Sequence, residues 1–234
     1  MKKESISISI PAWNEQETIE RVALEALAEL KKTGLRHELL LIDTGSKDKT
    51  AEIINRLSKK NKEIRVIHKK VNTGFSGSIT EALKNAKTDL VFLAPADGQF
   101  RFKQIHAFLE VIKYYDVAFA YRVINEEPIH RKIQSFVFHR LCSWFLGIHL
   151  RELTSISLWR KKVLDDVKLR VETQSNNALP DFINQASQKG YTFAEVPINW
   201  RKRQGGKAKG VINFKLIWDT IKEFNKLRKL ASSS

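Results

Sequence analysis

The chain alternates short apolar runs with longer segments whose apolar residues return every three or four positions. Ser5 to Ile10 switches polar to apolar at every residue, the period of a strand, and Pro11 closes it. Thr18 to Lys31 carries Ile19, Val22, Leu24, Leu27 and Leu30, an amphipathic helix that Gly34 ends. Glu38 to Asp43 predicts a second strand. Lys49 to Lys59 predicts a second helix, with Ser46 or Asp48 placed to cap it. Arg65 to His68 is a short third strand, Asn72 to Gly77 a loop, and Ser78 to Ala86 a helix. Leu90 to Leu93 is wholly apolar, as a strand buried on both faces should be, and it stops abruptly at Pro95, Asp97, Gly98 and Gln99.

The second half is less regular. Lys103 to Tyr114 predicts a helix and Asp116 to Arg122 a core strand ending in a cation. Arg131 to Leu146 is long, apolar and aromatic, with Arg131, Lys132, His139 and Arg140 interleaved. It fits either a surface helix for an interface or a buried helix with basic ends. Asp181 to Lys189 predicts a helix and Thr192 to Ile198 a strand. Trp200 to Gly210 is a basic loop, and Val211 to Leu230 an amphipathic helix that lies on a headgroup layer or packs on the domain. Strands and helices alternating at this spacing build βαβ units around a mostly parallel sheet.

Size and charge narrow the possibilities. The 234 residues suit one α/β domain with a small appendage, and 42% hydrophobic with 29% charged residues describes a folded chain. Forty-one Lys and Arg against 26 Asp and Glu leave +15, which calls for an acidic partner: nucleic acid, a nucleotide-linked substrate or an anionic membrane surface. The basic residues are scattered and no recognition module is visible, so nucleic acid is not expected. Cys142 is the only cysteine, which excludes an internal disulfide and a multi-cysteine zinc site and predicts a buried thiol in a reducing cytoplasm. Neither a signal peptide nor an apolar stretch of bilayer-spanning length is evident, so membrane contact is expected to be peripheral.

In an open α/β sheet, ligands bind beyond the carboxyl ends of parallel strands, which draws attention to the polar residues just past each run. Asp43 closes the second strand. Asp97 and Gln99, one pleat apart after the fourth, suit two oxygen ligands for Mg2+ or Mn2+, or equally a plain polar turn.

Taken in order, these motifs resemble the family 2 glycosyltransferases of GT-A fold, in particular the dolichol-phosphate mannose synthases and bacterial polyprenyl-phosphate glycosyltransferases. Pro11-Ala12-Trp13-Asn14-Glu15 stands for the family's Pro-Ala-Tyr-Asn-Glu turn, and Asp43 to Thr50 keeps its Asp-Asp-Gly-Ser-x-Asp-x-Thr with Thr44 for the second aspartate. Asn72-Thr73-Gly74 matches Asn-x-Gly. Pro95-Ala96-Asp97-Gly98-Gln99 matches Asp-Ala-Asp-Gly-Gln, with proline for the first acid. Tyr121-Arg122, Arg131, Glu152 to Ser157, Asp181 and Arg203 to Lys209 follow in order, with Ala208 for a serine.

The resemblance implies a Rossmann-like three-layer GT-A domain over 1–210 and an amphipathic helix and tail over 211–234. It implies an inverting transferase that moves a sugar from a nucleoside diphosphate donor to a polyprenyl phosphate, as a peripheral protein at the cytoplasmic membrane face. Pro11, Trp13, Glu15, Asp43, Asn72, Gly74, Ala96 and Asp97 would hold the donor, and Asp97 and Gln99 the metal ion. Arg122, Arg131, Ser155, Arg203 and Lys209 would hold the acceptor and its phosphate, and Asp97, Arg122, Arg131 and Asp181 would carry the catalytic roles. The replacements at Thr44, Pro95 and Ala208 frame the alternative: a silent homologue that binds nucleotide or lipid phosphate, or acts as a scaffold. The sequence carries no signal for an oligomeric state.

Overall fold

The computed structural model describes residues 4–124, 129–146, 150–152, 156–171, 175, 177–201, 218, 221–223 and 225. Seven strands form one sheet. In chain order they are β1 (Ser5–Ala12), β2 (Arg36–Asp43), β3 (Ile64–His68), β4 (Leu90–Leu93), β5 (Val117–Ile124), β6 (Ser157–Arg160) and β7 (Phe193–Asn199), and they lie side by side as β3-β2-β1-β4-β6-β5-β7. Only β6 runs against the rest. The carboxyl ends of β1, β2, β4, β5 and β7 therefore share one edge.

Among the described residues up to 201, seven α-helices complete the layers: α1 (Ile19–Lys32), α2 (Thr50–Lys60), α3 (Gly74–Lys84), α4 (Ile105–Val111), α5 (Ile129–Leu146), α6 (Lys161–Asp166) and α7 (Ala178–Gln188). Ile6, Ile8 and Ile10 of β1 meet α1, α2 and α4 in one apolar layer, while Leu40, Val91, Phe119 and Trp159 meet α3, α6 and α7 in the other. Burial on both faces explains why β4 reads as continuous apolar sequence.

The serines of β1 test that explanation, because alternation normally marks a strand with one wet face. Here Ser5, Ser7 and Ser9 are buried too. Ser5 donates to Asp89 Oδ2 at 2.6 Å, and Ser7 to Glu38 Oε1 at 2.6 Å, so two of the three hydroxyls are satisfied inside the protein. Glu38 is in turn held by Arg65, whose Nε donates to Oε2 at 3.0 Å.

Several expected boundaries shift. The helix expected from Ser78 begins at Gly74, because φ of +70° at Gly74 lets the loop turn directly into the helix. Lys103 to Tyr114 resolves into a single 3-10 turn and the shorter α4. The strand β6 and helix α6 carry no turn chemistry between them and were not foreseen. Neither capping candidate bonds as an N-cap side chain on α2; Asp48 instead accepts the N–H of Thr50 at 2.9 Å.

Helix α5 is arranged opposite to a usual surface helix. Ile129, Ile133, Phe136 and Trp144 are 58 to 77% exposed along one stripe. Ser135, His139 and Ser143, spaced by four, turn toward the domain. His139, one of the bases interleaved along a helix whose setting the sequence leaves open, is buried. Among the described residues no helix is long and apolar enough to cross a membrane. Of the expected C-terminal helix, 218, 221–223 and 225 are helical, with Trp218 exposed. The expected thiol environment at Cys142 falls outside the described side chains.

Candidate active site

The turn after β1 and the loop after β2 are laced together. Asn14 sits at φ +52°, a conformation asparagine tolerates. Its Oδ1 accepts the Lys47 N–H at 2.7 Å, and its own N–H donates to Ser46 Oγ at 2.9 Å. The Glu15 N–H donates to Thr50 Oγ1 at 2.8 Å. Thr44 joins this lacing: its N–H and its hydroxyl both donate to the Ala12 carbonyl, at 3.0 and 3.1 Å. The residue that replaces the family's second aspartate is thus 1% exposed and engaged with backbone, so its substitution changes a structural contact. Gly45 completes the fit, since a Cβ there would lie 2.7 Å from the Val71 carbonyl carbon.

Asp43, level with Ala12 at the strand tips, is buried. Its Oδ1 accepts the Ser46 N–H at 2.9 Å and its Oδ2 lies 3.3 Å from His68 Nδ1. Trp13 is 36% exposed at the same edge. Asn72 Oδ1 accepts the Gly74 N–H at 2.7 Å, which fixes the turn opening α3 against this region.

Two strands away, β4 ends and Asp97 follows. Neighbouring strands are spaced by about 5 Å, so the tips of β2 and β4 stand about 10 Å apart with β1 between them. Asp97 is partly exposed, and its Oδ1 accepts the Gln99 N–H at 3.0 Å. Gly98 takes φ +75°, and the space beside it is filled by Arg21, whose Nη2 would be 2.2 Å from a Cβ.

Gln99 is 7% exposed and its Nε2 donates to the Arg201 carbonyl at 3.0 Å, while the Arg201 N–H donates back to the Gln99 carbonyl at 3.0 Å. These paired bonds make Gln99 the tie between the β4 loop and the chain leaving β7. Among the described residues no three His, Cys, Asp or Glu side chains converge as a metal site. The donor set still fits Mg2+ or Mn2+ carried by a diphosphate, because such ions commonly use one or two protein carboxylates with phosphate oxygens and water, and Asp97 supplies one.

The third part of the edge belongs to β5. Arg122 Nε donates to Glu152 Oε2 at 3.0 Å, its N–H donates to the same oxygen at 3.0 Å, and Nη2 donates to Ser135 Oγ at 3.2 Å. The guanidinium lies 6.0 Å from the Trp200 ring centroid. His139 is buried against this group. Burial, then the Arg122 charge, pushes its pKa down to about 4. Neither His139 nor Trp200 was singled out as a site residue. Lacking a motif, they are located only by the fold.

Asp181 lies on α7. It is fully buried and pairs with Arg170, whose Nε donates to Oδ1 at 2.8 Å and whose N–H donates to Oδ2 at 2.9 Å. Arg131 lies in α5. Ser155, Arg203 and Lys209 lie outside the described residues. Pro11 lies in β1 and Ala96 in the loop that follows β4.

Compared with known proteins, residues 7–166 match the model of glycosyl transferase family 2. The chain belongs to glycosyl transferase family 2. Within it, the chain is 24% identical over 234 residues to a dolichyl-phosphate beta-glucosyltransferase of Trichomonas vaginalis, covering 93% of this chain and 72% of that one. It is 24% identical over 208 residues to a dolichyl-phosphate hexose transferase of Haloferax volcanii, covering 86% and 85%. Among solved structures, the glucosyl-3-phosphoglycerate synthase of Mycobacterium tuberculosis with Mn2+, UDP-glucose and phosphoglyceric acid superposes with a TM-score of 0.68 at 14% identity, over 95% of this chain and 80% of that one. The family 2 fold is thus the GT-A fold.

Proposed function

We propose that this family 2 glycosyltransferase moves a sugar from a nucleoside diphosphate donor to a polyprenyl phosphate, working as a peripheral protein at the cytoplasmic face of a membrane. The observation that carries the reading is the shared strand edge, where Asp43 and Asp97 stand two strands apart and Arg122 follows on β5. The names of two relatives, both dolichyl-phosphate sugar transferases, support the acceptor class. The Mn2+ and UDP-glucose in a structural neighbour support the donor class and a divalent ion.

Asp43 and Glu15 accept hydrogen bonds from the nucleoside and Trp13 stacks on its base. Asp97 would hold the divalent ion, which when bound would supply positive charge against the departing diphosphate. An acceptor phosphate oxygen attacks the anomeric carbon as the bond from that carbon to the donor phosphate breaks, and the nucleoside diphosphate leaves with the electron pair. The acceptor is already anionic at neutral pH, so no general base has to deprotonate it. A buried, paired Asp181 is compatible with that chemistry. Arg122, with Arg131, Arg203 and Lys209 beside it in the assignment, binds phosphate oxygens; arginine's fork suits them.

The exposed stripe of α5, with Arg140 within it and Trp218 exposed elsewhere, supports lipid contact. Pro95 supports the competing reading of a silent homologue; Thr44 does not, because its side chain serves the Ala12 carbonyl. Thermal shifts across a panel of nucleotide sugars, with and without Mn2+, test the reading. One donor should stabilise the wild-type protein only with the metal, and Asp97→Ala should abolish both that shift and product formation on a polyprenyl phosphate. Equal responses of the two proteins across the panel would overturn it.

A further inference from the structure

We infer that His68 is a positioning residue for the donor nucleotide, holding Asp43 in the orientation in which it receives the nucleoside. The inference rests on the donor reading above and adds a residue that no motif of the family covers.

Asp43 and His68 face each other in register across β2 and β3, and the Lys69 N–H donates to the Asp43 carbonyl at 2.8 Å, so the two backbones are fixed relative to one another. The ring then bridges two elements. Its Nδ1 lies 3.3 Å from Asp43 Oδ2 and its Nε2 lies 2.9 Å from Asn55 Oδ1 on α2. A carboxylate only accepts, so Nδ1 carries a proton whichever way the Asn55 amide is turned. The Ser46 N–H holds Oδ1 from the other side.

Asp43 is therefore gripped at both oxygens while its side chain remains 6% exposed. Each oxygen keeps a lone pair for a base N–H or a ribose hydroxyl. Without the His68 grip the carboxylate keeps only the Ser46 N–H at Oδ1, and its broad terminal torsion offers the ligand a wider range of orientations. A preset acceptor loses less freedom on binding. His68 itself is 41% exposed and lies at a strand end, so its replacement leaves the core untouched.

Two substitutions separate positioning from bulk. His68→Asn places an amide nitrogen where Nδ1 stands and keeps the donor to Asp43; His68→Gln places it where Nε2 stands, which keeps the Asn55 contact and loses the Asp43 one. Calorimetric binding of UDP and GDP with Mn2+ is measured for the wild type and both variants, together with kinetics at varied donor and at varied polyprenyl phosphate. The loss of one directed hydrogen bond should weaken nucleotide binding by up to about tenfold in His68→Gln and raise the KM for the donor with kcat and the acceptor KM unchanged. His68→Asn should stay within about threefold of the wild type. If the wild type binds nucleotide and both variants bind as it does, or both lose binding alike, the role of His68 is overturned and the donor reading stands. If the wild type binds neither nucleotide, the donor reading falls and takes this inference with it.

Discussion

At the scale of single residues, the strongest statements concern groups whose state is set by burial. His139 is neutral in the folded protein, with its pKa pushed down to about 4 first by burial and then by Arg122, whereas in the unfolded chain it titrates near 6.5. Between those values the unfolded chain takes up a proton that the folded one refuses. Stability therefore falls as pH drops from 6.5 toward 4, by about 2 kcal/mol at pH 5 relative to neutrality. Urea unfolding at pH 7.5 and 5 should show this loss in the wild type, and His139→Asn should remove that share of it. Gly98 makes a second case. An alanine there must adopt φ +75° and push aside the Arg21 guanidinium, so Gly98→Ala should cost about 1–2 kcal/mol in the same assay and weaken metal-dependent donor binding. The sequence marked Gly98 through its motif. It left the setting of His139 open, because a histidine on a helix does not announce which way its face turns.

Among elements, α7 and the chain before it are joined by the Arg170–Asp181 pair. Arg170→Ala strands a carboxylate that is 0% exposed and should cost about 3 kcal/mol, seen as a fall of about 8 °C in Tm. The parallel strands and their order of appearance were legible from apolar runs and the polar residues that stop them. β6 was not. Ser157 to Arg160 is four residues long, and its pairing with β4 and β5 is a property of the sheet rather than of the segment. α5 was legible as a helix with two possible settings. Its arrangement required knowing that Ser135 and Ser143 have partners inside, at Arg122 and the Leu150 carbonyl.

For the whole molecule, the proposed lipid contact draws on +15 and on the outward apolar stripe of α5, the first acting by charge and the second by area. Sedimentation with vesicles of phosphatidylcholine and phosphatidylglycerol should show binding that weakens as salt rises. Phe136→Ser with Trp144→Ser should reduce it at every salt concentration without lowering Tm. The charge was plain from composition, and the stripe was not, because apolar residues on a helix ordinarily mean core. One last link spans the molecule. Arg201 is shared: its backbone is paired with Gln99, and its Nη2 donates to Glu25 Oε1 at 2.6 Å, the oxygen that also accepts the Phe102 N–H. Helix α1, the strand-four loop and the exit of β7 thus converge on one fastening, so the loop that carries Asp97 and the root of the basic segment opening at Trp200 share a single anchor.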